Sequence, residues 1–75
     1  VKSVTTMAIE VLRAIKKEIE RSRVREARSY VHPAVANYLL NEDRPSISRL
    51  ETDYRAKVVI IAEPEMHIEK FSIQK

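Results

Sequence analysis

This sequence predicts a two-layer α+β domain, with elements in the order α-β-α-α-β-β and a three-stranded sheet covered by helices. Three observations predict it. Apolar residues recur at three- and four-residue steps through residues 3–22. The run YVHPAVANYLL, residues 30–40, passes from β-type residues through a proline into helical spacing. The run KVVIIA, residues 57–62, is β-branched and apolar on both faces.

The opening helix is placed at residues 3–22. Val4, Met7, Ala8, Val11, Leu12, Ile15 and Ile19 form its apolar stripe. Glu10, Arg13, Lys16, Lys17 and Glu20 fill the other face, with Lys16 and Glu20 spaced to pair. Ser3 is the expected N-cap. A strand follows at 26–32, with Ala27, Ser29 and Val31 on one face and Arg28 and Tyr30 on the other. Pro33 restricts His32 to an extended conformation and suits the first turn of a helix, so a helix is placed at 33–40 with Val35, Tyr38 and Leu39 turned inward.

NEDRP, residues 41–45, reads as a loop, and Ile47, Leu50 and Tyr54 argue for a third helix at 47–54, with Ser48 and Glu51 as a capping pair or an earlier start at Ser46. KVVIIA is expected as a central strand, 57–63, because both of its faces are apolar. Pro64 ends it, and a closing strand at 69–74 alternates Phe71 and Ile73 with polar residues. These last two strands are expected to form an antiparallel hairpin. From the first strand onward the order resembles that of a KH domain. The GxxG clamp of such a domain is missing, because NEDRP occupies its position.

Composition bounds the chemistry. The chain's 75 residues suffice for one small domain, and the start at Val1 rather than Met is expected of a piece of a longer protein. With no cysteine there are no disulfides, thiolate metal sites or cysteine nucleophiles. With no glycine there is no phosphate loop or dinucleotide fingerprint. No apolar run has the length of a membrane helix. The net charge of +3 is uneven: residues 1–40 carry +4 and residues 41–75 carry −1.

Three groups of residues are candidates for function. His32 has no carboxylate or nucleophile placed by local spacing to make a triad, and reads as a junction residue. EPEMHIE brings Glu63, Glu65, His67 and Glu69 together but matches no metal-ligand spacing, and no catalytic or metal residue is assigned. Asp43, Glu51 and Asp53 read as caps and surface charges. The basic residues remain: Arg13, Lys17, Arg21, Arg23, Arg25 and Arg28 are the candidates for contact with RNA phosphates, although only Tyr30 stands near them for stacking.

In order along the chain, VKSVTTMAIEVLRAI, YVHPAVANYLL, and YRAKVVIIAEP with FSIQK resemble the C-terminal small domain of the ribonuclease E/G family. The first is similar to the family's helix after its zinc-binding cysteine motif. The second is similar to its strand, proline joint and helix, and the third to its closing strands. Where the family often has glycine before the lysine of the penultimate strand, this chain has Ala56, so another turn geometry is expected there. The resemblance implies a cytoplasmic parent endoribonuclease that cuts single-stranded RNA in ribosomal RNA processing and messenger turnover. It implies Mg2+ and structural Zn2+ held outside this segment, and no cofactor within it. The small domain itself is expected to be non-catalytic and to serve oligomer assembly and domain packing, with other domains and subunits of the parent as partners. The other expectation is a KH-like accessory module that binds single-stranded RNA along a basic edge.

Overall fold

Met7, Ala8, Val11, Ile15 and Ile19 form one buried stripe along α1 (Val4–Ser22). The computed structural model describes residues 2–74, so the starting Val1 and the last residue of FSIQK, Lys75, lie outside the described residues. Ser3 caps α1 as expected, its Oγ accepting from the Thr6 N–H at 3.1 Å. At about 1.5 Å per residue, α1 spans nearly the whole 31 Å length of the molecule. Glu20 does not pair with Lys16. It accepts from the Tyr54 hydroxyl at the end of a later helix.

The remaining elements are β1 (Glu26–Val31), α2 (Pro33–Asn41), α3 (Arg44–Tyr54), β2 (Lys57–Ala62) and β3 (Phe71–Gln74). The element order among the described residues is therefore the expected α-β-α-α-β-β, with a three-stranded mixed sheet. His32 is extended and caps α2, its Nδ1 accepting from the Ala34 N–H at 3.0 Å. The third helix begins earlier than residue 47, directly after Asp43. Pro45 sits in its first turn, where a missing N–H is harmless. The expected Ser48–Glu51 capping pair is thus replaced. Asp43 stands at the N-terminus and accepts from the Ser46 hydroxyl at 2.8 Å, while Glu51 works at the far end of the helix.

The sheet order is β2-β1-β3. Two expectations are corrected here. KVVIIA is an edge strand, and it forms no hairpin with the closing strand. β2 runs parallel to β1, from Glu26↔Lys57 to Val31↔Ala62. β3 runs antiparallel on the other side of β1, from Arg28↔Gln74 to Val31↔Phe71. The physical reason lies in the connections. Two helices separate β1 from β2, enough chain for a parallel crossover. Residues 63–70 carry the chain past the end of β1, with the Glu63 N–H still bonded to the Val31 carbonyl at 2.7 Å.

Alternation on β1 is as read from the sequence: Ala27, Ser29 and Val31 are fully buried. The registers place Val58, Ile60, Phe71 and Ile73 on that same face, against the helices. Leu39 and Ile47 close the core from α2 and α3. The Ser29 hydroxyl is buried there without a hydrogen-bond partner among the described residues. The opposite face presents Arg28, Tyr30, Val59, Ile61, Ser72 and Gln74 and packs against no helix. Among the described residues, no helix is long and apolar enough to cross a membrane.

Candidate nucleic-acid interface

Two helices end in the same way at the same end of the sheet. α1 stops where Arg23 turns left-handed at φ 53°, its N–H returning to the Ile19 carbonyl at 2.8 Å. α3 stops where Arg55 does the same at φ 52°, its N–H returning to the Glu51 carbonyl. Glycine is the usual residue at such positions because a Cβ crowds the following carbonyl, at about 1 kcal/mol or more. With no glycine in the chain, two arginines take them. The turn before β2 thus makes its positive φ at Arg55, and Ala56, which stands where the family often has glycine, is buried.

Because β1 and β2 are parallel, both strands start beside these helix ends. The Lys57 N–H bonds the Arg25 carbonyl at 2.7 Å and locks the starts of the two strands together. The result is an open cleft of about 670 Å³ whose floor is Ile19, Val24 and Tyr54 and whose rim carries Arg23, Arg25 and Arg55. Glu20 also lines it, held by the Tyr54 hydroxyl. That hydrogen bond raises the Tyr54 pKa above its ordinary value.

All six basic residues named from the sequence are exposed, but they do not form one surface. Arg23 and Arg25 meet at the cleft. Arg21 turns back to Glu18 of its own helix at 3.1 Å. Arg28 lies on the open sheet face, its Nε 2.9 Å from Glu26, whose carboxyl it holds below the usual carboxylate range. Arg13 and Lys17 lie further along α1, beside a shallow groove with Ile9 and Phe71. Sequence reasoning missed Arg55 and Tyr54 at the cleft. The signal was present as YRAK just before the strand, but its meaning depends on β2 pairing parallel to β1.

The histidines and acids are used locally. His32 caps a helix. In the turn after β2 the His67 Nδ1 accepts from the Glu69 N–H at 3.1 Å, and the Glu63 carboxylate accepts from the Glu65 N–H at 3.3 Å. Among the described residues, no group of three His, Asp or Glu converges to hold a metal ion. Glu51 reaches past the end of its helix, its carboxylate accepting from the Val58 N–H of β2 at 2.9 Å.

The comparisons with known proteins agree with the resemblance at the level of family. The family model described as RNase E/G, thioredoxin-like domain, matches residues 1–75. Ribonuclease E of Haemophilus influenzae is 25% identical over 68 residues, which cover 91% of this chain and 7% of that protein. One expectation changes: the domain is an N-terminal one in the family rather than the C-terminal one expected. The family's description is thioredoxin-like, whereas the KH-like likeness rested on element order alone.

Proposed function

Given that the chain belongs to the RNase E/G family as its thioredoxin-like domain, we propose that it is a non-catalytic packing module of a larger endoribonuclease. Its work is to hold other domains or subunits of that enzyme in place. The observation that carries this reading is the uncovered sheet face. Tyr30, Val59 and Ile61 lie side by side there, only half-buried, on a strand pair whose other face is packed by helices. An apolar patch of this kind on a small domain favours contact with a further protein surface.

Chemistry supports the non-catalytic part. The chain has no cysteine, and among the described residues its carboxylates and histidines do not converge. This supports placing the parent's structural zinc in other segments of it, and the same is proposed for its magnesium. Cleavage of single-stranded RNA, in processing of ribosomal RNA and turnover of messengers in the cytoplasm, is proposed for the parent and not for this segment.

The test is Ile61→Lys in the longer enzyme, read by sedimentation velocity and limited proteolysis. The side chain lies on the open face, so the isolated chain should keep its fold. Assembly into the native oligomer should weaken, or the junction with neighbouring domains should become protease-sensitive. Unchanged sedimentation together with unchanged protease resistance would overturn the proposal.

A further inference from the structure

We infer that the cleft at the start of β1 and β2 is a docking site for the phosphodiester backbone of single-stranded nucleic acid, gripped by Arg23, Arg25 and Arg55. This goes beyond the packing role, and it uses the sheet end rather than the sheet face.

Three observations converge. The first is pairing. Among the described residues, Arg21 and Arg28 have carboxylate partners, whereas none pairs with Arg23, Arg25 or Arg55. Arg13, Arg44 and Arg49 are unpaired as well among the described residues, but they lie away from the cleft, where Arg23, Arg25 and Arg55 gather. The second is their origin. Arg23 and Arg25 come from the α1–β1 connection and Arg55 from the α3–β2 connection, some thirty residues away in sequence. Parallel pairing of the strands brings them together, so the cluster is a tertiary feature and not a local charge run. The third is backbone conformation. Two of the three occupy left-handed positions that a non-glycine residue takes at a cost.

Charge magnitudes decide the sign of the cleft. Two helix C-termini face it, each equivalent to about half a negative charge at most, and Glu20 adds one more. Three guanidiniums exceed that total. The cleft is open and its arginines are exposed, which suits an extended polyanion better than an enclosed small anion. Ile19, Val24 and the Tyr54 ring give the floor an apolar and aromatic surface on which a base can rest.

Glycine substitution makes the test clean. Arg23→Gly and Arg55→Gly remove the cations and relieve the left-handed strain, so the variants keep or raise Tm, and lost binding cannot be charged to unfolding. The full chain is titrated with a labelled single-stranded oligoribonucleotide over a salt series. Wild type is expected to bind with a log–log salt slope of about −2, three contacts at about 0.7 each. The double glycine variant should lose at least about tenfold in affinity at low salt and flatten the slope by about 1.4. Arg21→Ala with Arg28→Ala, a charge-matched control, should stay within about twofold. Inorganic phosphate should compete only as its ionic strength dictates. Equal losses in the two double variants would overturn the proposal, as would wild-type binding by the glycine variant. So would displacement by millimolar phosphate, which would mark a small-anion site. A matched DNA oligonucleotide that binds equally supports backbone recognition, whereas strict discrimination against it would overturn backbone contact as the basis of binding.

Discussion

At the end of the sheet where β1 stops, the chain passes into α2 through His32 and Pro33, and His32 itself accepts from the Ala34, Val35 and Ala36 N–H groups. At the opposite end, where β1 and β2 begin, the chain arrives through Arg23 and Arg55, both left-handed, and is held by contacts far apart in sequence. The two ends solve the same problem, turning a helix and a strand into each other without glycine. They differ in range. The His32–Pro33 joint is built from neighbours within four residues. The arginine end needs α1, α3, β1 and β2 to be in place together.

The largest difference should come from Glu51. Its carboxylate accepts from the Val58 N–H across the α3–β2 turn, and a part-buried, charge-assisted bond of this kind is worth about 1.5–3 kcal/mol. Glu51→Ala should lower the free energy of unfolding by that amount, read as a lower urea midpoint with an unchanged m-value, and Glu51→Gln should recover much of it. A loss confined to a few tenths of a kcal/mol would mean that water replaces the carboxylate and that the arginine end is looser than described.

A smaller loss is expected at the other end. His32→Ala removes the acceptor for the Ala34 N–H, and loss of an N-cap costs about 1 kcal/mol. His32→Asn, which supplies a short acceptor at the same position, should restore most of it. Thermal melts of the three chains check this. If alanine is neutral, Pro33 alone sets the helix start, and the histidine end owes nothing to its histidine.

The difference in range also explains what the sequence discloses. The stripe of α1, the alternation of Ala27, Ser29 and Val31, and the His32–Pro33 joint are all readable because each is a pattern within a few residues. The early start of α3 is readable in principle: Pro45 in NEDRP reads as a loop marker, but proline also suits a helix's first turn. The place of KVVIIA is not readable. Periodicity states which faces are apolar, and Val59 and Ile61 are apolar on a face that no helix covers. It does not state which strand is the neighbour. The basic candidates scatter for the same reason. Six residues named by closeness in sequence fall in separate places, while Arg55 joins Arg23 and Arg25 only through the β1–β2 register.

The smallest expected effect is a pH dependence belonging to the arginine end. Tyr54 donates to Glu20 and thereby ties α3 to α1 across the cleft, and this hydrogen bond to a carboxylate raises the phenol's pKa. The folded chain therefore holds the proton more tightly than the unfolded chain does. The link contributes fully below the ordinary tyrosine pKa, near 10, and its contribution is lost as the pH rises through the raised value, so stability falls on the alkaline side. The group is exposed, so the change is small. An ultraviolet difference titration of the wild type against Tyr54→Phe should show the Tyr54 phenol ionising above the ordinary tyrosine value. Glu20→Gln should bring it down by removing the negative charge. A Tyr54 titration unchanged by Glu20→Gln would break the link, and with it one of the contacts that make the arginine end a product of tertiary folding.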